Sequence, residues 1–130
     1  MELTRNYIMT NDSNSANDAI ITRQDIEAIR TVLTHMANHD PLALSKVENV
    51  EIPSHPAFWT SLENLPVQLV PPPSDFIDTW SISLFLSKNC VWFTGPMWSK
   101  EEGQSEMYLY LSKDLSTIPP KLVVEDYRLP

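Results

Sequence analysis

Hydrophobic positions follow two spacings along this chain, one helical and one strand-like. Ile26, Ile29, Leu33, Met36 and Ala37 recur at i, i+3, i+7, i+10 and i+11, which draws one apolar stripe on a helix. Thr22 is a good N-cap for it, and Asp25 three residues later completes a variant capping box at the positive helix end. Pro41 disfavours helix at Asp40, so the helix is predicted to stop there. The segment DPLALSKV restarts as a short second helix, with Asp40 as cap and Pro41 in its first turn.

Further on the period falls to two. Trp80, Ile82, Leu84 and Leu86 alternate with Thr79, Ser81, Ser83 and Phe85. Lys88-Asn89 predicts a tight turn into Cys90-Val91-Trp92-Phe93, which is apolar on both faces and reads as a central strand. Lys100 to Gln104 is polar, and Gly103 offers the backbone freedom a hairpin tip needs. Met107, Leu109 and Leu111 then alternate with Tyr108 and Tyr110, and a last strand is predicted from Lys121 to Arg128. The expected fold is α+β: an N-terminal helix and a short second helix packed on one curved antiparallel sheet of about four strands.

Two stretches escape either period. Residues 1–20 are polar and rich in Asn, Asp and Ser, and read as a flexible arm ahead of a single domain at 21–130. Residues 48–76 are broken by Pro53, Pro56, Pro66 and Pro71-Pro72-Pro73, yet carry Phe58, Trp59, Leu62 and Leu65. They read as an ordered, proline-rich wrap anchored on the core.

Composition narrows the function classes. A chain of 130 residues fits one domain able to bury its own core. It has no run of the roughly 18 to 20 apolar residues that a membrane span needs, and no basic-then-apolar start typical of a secretory signal. Its single cysteine, Cys90, makes an internal disulfide impossible, and a reducing cytoplasm is the expected location. Nine basic against seventeen acidic residues leave a net charge of −8, which opposes binding to nucleic acid or an anionic membrane. The same field would speed the approach of a basic protein partner, and it would equally serve plain solubility.

The order of helix, hairpins and terminal strand resembles the small cystatin-like and NTF2-like folds. The segment Trp98-Ser99-Lys100-Glu101-Glu102-Gly103-Gln104-Ser105-Glu106, with Val124-Glu125-Asp126-Tyr127 later, resembles a small bacterial family of uncharacterised proteins. That family carries a Trp-x-x-Glu-Glu-Gly-x-Ser-Asp/Glu hairpin and an Asp-rich last strand; the long proline-rich wrap here departs from it. The resemblance implies small-molecule enzymes, oligomerisation modules or immunity proteins that neutralise bacterial toxins, and fold alone does not choose among these.

His35 and His39 are one helical turn apart but lack a third ligand, so neither metal nor cofactor is expected. Cys90 opens an apolar strand and reads as a small hydrophobe. Asp75 and Asp78 precede the first long strand, while Glu101, Glu102 and Glu106 surround the hairpin tip. As exposed carboxylates they suit an Arg- or Lys-bearing partner, or simply a solvated turn that discourages edge pairing. With Trp98, Tyr108 and Tyr110 they form the expected partner-binding set of a non-enzymatic, immunity-type inhibitor facing a basic toxin. The alternative is an NTF2-like enzyme or ligand-binding protein. Its pocket would lie between helix and sheet, lined by Trp59, Trp80 and Trp92, with Asp126 carried inward by the alternation of Leu122 and Val124. An inward carboxylate needs a partner, and a strand-end position that reaches water is the simpler reading. A homodimer joined through an exposed sheet face is a third possibility.

Overall fold

The computed structural model describes the backbone of residues 2–5 and residues 21–129. Of the expected arm, all but residues 2–5 lies outside the described residues. The backbone of Glu2–Arg5 forms a strand, β1, antiparallel to Ser81–Phe85, which is β4 below.

Helix α1 runs over Arg23–Ala37, and its start is built as the sequence predicts. Thr22 Oγ1 accepts from the Asp25 N–H at 3.2 Å, and the Thr22 N–H donates to Asp25 Oδ2 at 2.9 Å. Ile26, Ile29, Val32, Leu33, Met36 and Ala37 are buried along one face. The helix stops short of Asp40 because His39 adopts a left-handed φ of 52°, turning the chain into α2, Pro41–Ser45. Asp40 caps α2 by accepting from the Ala43 N–H at 3.0 Å.

The proline-rich wrap is more regular than its sequence pattern. It holds β2 (Val50–Glu51), α3 (Pro56–Glu63) and β3 (Leu69–Val70). Pro56 occupies the first turn of α3, where its missing N–H costs nothing and its fixed φ favours the helix. The prolines thus set boundaries rather than abolish structure. The expected anchors hold: Leu62 is buried, and Phe58, Trp59 and Leu65 pack half-buried on the core.

Four long strands form an antiparallel meander: β4 (Ser81–Phe85), β5 (Cys90–Ser99), β6 (Gly103–Asp114) and β7 (Lys121–Arg128). The expectation of a four-stranded, purely antiparallel sheet needs correction, because the sheet is mixed and larger. Its order is β1-β4-β5-β6-β7-β2, with β3 paired to the far end of β5 and β2 parallel to β7. The added strands are two to four residues long, too short to show a period of two in sequence.

The inner face, under α1, carries Ile82, Leu84, Val91, Phe93, Leu109, Leu111, Leu122 and Val124. Trp80 closes one end and is 1% exposed. Its ring lies on Gly95, where a Cβ would fall 2.1 Å from the indole, so only glycine admits the tryptophan. Phe76 meets it edge-on at 5.7 Å.

One charged residue sits among these side chains. The inward alternation of Leu109 and Leu111 continues to Lys113, whose neighbours across the ladders are Val91 and Leu122. Lys113 Nζ donates to Asp25 Oδ2 at 2.7 Å, with the two side chains only 7% and 11% exposed. The carboxylate that closes the cap of α1 therefore also neutralises a lysine of a central strand, 88 residues away. Breaking such a pair from one side leaves a buried charge without its counter-charge, which costs about 3–5 kcal/mol. Lys113→Met should lower the free energy of unfolding measured by urea titration by that order. Adding Asp25→Asn, which keeps the cap and removes the charge, should restore part of the loss, so a double-mutant cycle reads the pair directly.

Candidate functional site

The outer face of the sheet is where the exposed aromatic residues gather. Its rows follow from register: Ser83, Trp92, Ser112 and Val123 in one, Ser81, Thr94, Tyr110 and Asp126 in the next, then Pro96, Tyr108 and Arg128. Trp92, Tyr108, Tyr110, Phe85 and Val123 are all half-buried, and none of them packs on the core cluster. Arg128 stacks its guanidinium 4.2 Å above the Tyr110 ring and donates to Asp126 Oδ2 at 3.1 Å. Ser112 Oγ donates to Glu125 Oε2 at 2.6 Å.

Asp126 does not follow the inward alternation of Leu122 and Val124. A bulge intervenes: Leu111 pairs with Val124 and Tyr110 pairs with Asp126, leaving Glu125 as the extra residue. The inserted residue reverses the phase. Asp126 sits beside Tyr110 with 49% of its side chain exposed, and Tyr127 turns inward to meet Phe58 edge-on at 4.9 Å. Asp126 is thus not an inward carboxylate. Its Oδ1 accepts from the neighbouring Tyr127 N–H at 2.8 Å.

The residues expected to line a pocket between helix and sheet do not meet. Trp80 fills the core, Trp92 faces outward, and Trp59 packs on α3 against Phe58 at 4.9 Å. The Trp80 indole N–H finds no acceptor among the described residues.

The expected partner set divides similarly. Tyr108 and Tyr110 share the outer face. Trp98 is half-buried, packs on the core and pairs with Val70 and Gln104. Glu102 and Glu106 are exposed around the hairpin, whose tip Gly103 has the left-handed φ of 74° expected of it. Glu101 has a structural task, accepting the Gln68 N–H at 2.9 Å while the Lys100 N–H donates to the Gln68 carbonyl at 2.8 Å. These two bonds fasten β3 to the hairpin tip. Asp75 and Asp78 are exposed on the 3-10 turn Phe76–Thr79, which inserts Phe76 into the core beside Arg30. Arg30 stacks 5.2 Å above that ring and donates to the carbonyls of Pro73 and Ser74.

The described residues also line two concave regions. A cleft of ≈ 590 Å³ lies over the Lys113–Asp25 pair, with Glu48, Asn49, Pro119 and Leu122 on its walls. A shallower groove of ≈ 350 Å³ runs between α3 and β7, lined by Pro53, His55, Phe58, Ser61, Asp126 and Tyr127 among others. His55 caps α3, its Nδ1 accepting from the Ala57 N–H at 3.1 Å. Among the described residues no group of three or more His, Cys, Asp or Glu could hold a metal ion. His39 lies past the end of α1, and half-buried Cys90 sits opposite Phe85 and Asp114. None of the described helices is long and apolar enough to cross a membrane. No protein-family model matches the chain, and comparisons with curated proteins and with solved structures find no match.

Two ionisations are displaced. Hydrogen bonds from the Ser116 hydroxyl and N–H hold the Asp114 carboxyl below its ordinary range. Burial pushes the Tyr127 phenol up, a hydrogen bond with Ser61 opposes this, and the Asp126 charge adds to the rise. Its hydroxyl also donates to the Phe58 carbonyl at 2.8 Å, joining β7 to α3. Above about pH 10 the unfolded phenol loses its proton while the folded one keeps it, so the unfolded state binds fewer protons and stability falls with rising pH. Urea midpoints measured across that range should fall more steeply for the wild type than for Tyr127→Phe.

Proposed function

We propose that the protein is a non-enzymatic binding module whose partner docks on the outer sheet face. The observation that carries this reading is the placement of Trp92, Tyr108 and Tyr110 outside the core, on adjoining strands, half-exposed. Aromatic side chains held on a rigid sheet are common anchors of protein interfaces. Glu102 and Glu106 at one end and Glu125 and Asp126 along β7 add negative charge around the aromatic rows. In a chain of net charge −8 this favours a basic partner.

The finer reading is an immunity-type inhibitor that covers a basic site on a bacterial toxin. It is supported by the resemblance of the 98–106 hairpin and by the charge. The cystatin-like or NTF2-like assignment is likewise a proposal, resting on the order of helix, hairpins and terminal strand. Of the residues first expected at the interface, Tyr108, Tyr110, Glu102 and Glu106 stay in it. Glu101 and Trp98 support it from behind, and Asp75 and Asp78 belong to the turn beside Arg30.

The test is binding to the product of the adjacent gene, the neighbour expected for an immunity protein. Tyr108→Ala with Tyr110→Ala should weaken binding at least tenfold while leaving the far-ultraviolet dichroism unchanged, since a hot-spot side chain is worth about 2 kcal/mol or more. Unchanged affinity in that variant would remove the outer face from the interface.

A further inference from the structure

The groove between α3 and β7 has the form of a strand-accepting slot. Three consecutive residues of β7, Glu125, Asp126 and Tyr127, line it. The bulge leaves Glu125 and Asp126 on the outer side of the strand and Tyr127 on the inner side, so a groove bordered by all three follows the strand's edge. The opposite wall is one side of α3, with Ala57, Phe58 and Ser61 at i, i+1 and i+4, and Pro53 and His55 close one end.

That edge is open for a definite reason. β2 pairs with β7 only at Leu122 and Val123, and Pro53, two residues past the end of β2, leads the chain away into α3. Beyond those two pairs, no strand among the described residues lies on this side of Glu125–Arg128. The Tyr127 N–H is instead occupied by the Asp126 carboxylate. A cap from the adjacent side chain blunts the edge against casual pairing. It also holds the donor in place for exchange, because an incoming carbonyl can replace the carboxylate bond for bond.

We propose that this groove takes an extended segment of a partner protein, which adds to β7 as a further strand beyond the end of β2. Recognition of this kind draws affinity from main-chain hydrogen bonds and specificity from alternate side chains. The structure names both alternates. One set of side chains falls beside the carboxylates of Glu125 and Asp126 and is therefore basic. The other turns towards Pro53 and Phe58, half-buried apolar residues at the groove, and is therefore aliphatic. The preferred segment alternates Arg or Lys with Val, Ile or Leu. The site shares the carboxylates of Glu125 and Asp126 with the border of the outer face but uses none of its aromatic residues Trp92, Tyr108 and Tyr110.

The test uses the full chain, isotopically labelled, titrated with a capped octapeptide that alternates arginine and valine. Saturable shifts should appear in the amides of Glu125 to Arg128 and of His55 to Ser61, with slowed hydrogen exchange at Tyr127. The same peptide N-methylated at alternate residues, so that it cannot add to an edge, should bind at least tenfold more weakly. A glutamate–valine octapeptide should produce no shifts. No binding by the first peptide, equal binding by its N-methylated form, or shifts confined to Trp92, Tyr108 and Tyr110 would each overturn the proposal. The last of these would leave the outer-face reading standing, and that reading fails separately, on the tyrosine variants.

Discussion

A lysine that belongs by register to the apolar face of the sheet is held there by the carboxylate that closes the first turn of α1. The Asp25–Lys113 pair ties the start of the helix to the middle of the meander. Its net contribution to stability is modest, because desolvation offsets much of the attraction. A one-residue slip of β6 would send Lys113 to the outer face and strand Asp25 under the helix without its counter-charge. The contact thus acts in the same sense as the apolar alternation of the strands, which favours this register of β6 under α1. The large apolar side chains then fill the space so defined, Trp80 over Gly95 at one end and Leu122 and Val124 at the other.

Both proposed surfaces follow from how β7 finishes. The bulge at Glu125 reverses the alternation, bringing Asp126 and Arg128 beside Tyr110 and Tyr108 and turning Tyr127 inward to α3. Without it, Asp126 would lie under the sheet and Tyr127 on its outer face. The outer rows gain an acidic and stacked border, and the groove gains its wall through the Tyr127–Phe58 hydrogen bond. A single inserted residue divides β7 into a half that alternates into the core and a half that borders the two proposed surfaces.

The proline-rich segment shapes the same region from the other side. Prolines stop β2 after two residues and start α3, so the edge of β7 is left uncovered while α3 is brought alongside it. At its far end the segment is pinned by Glu101 and Lys100 to Gln68. A carboxylate that composition assigns to solvent is in fact a structural bond, and this reserves the acidic contribution of the hairpin to Glu102 and Glu106.

Local chemistry determined much of this protein directly. The cap at Thr22 and Asp25, the stripe on α1, the short α2 behind Asp40, the tip at Gly103 and the four long strands depend on neighbours a few residues apart, and the sequence displays them. Lys113 continues the phase of Leu109 and Leu111, but the alternation read from the sequence ends at Leu111, and its partner lies 88 residues away. The short strands β1, β2 and β3 exist only because a longer strand offers them an edge, and α3 forms within a segment whose prolines mask its apolar side. The face taken by Asp126 was decided by a bulge, which arises from the fit of β7 to β6 and leaves no mark on the hydrophobic alternation of β7 itself. Pattern specifies elements because they are built from local spacing. Where side chains meet across the sheet is decided by register and packing, which come into being only when distant segments are brought together.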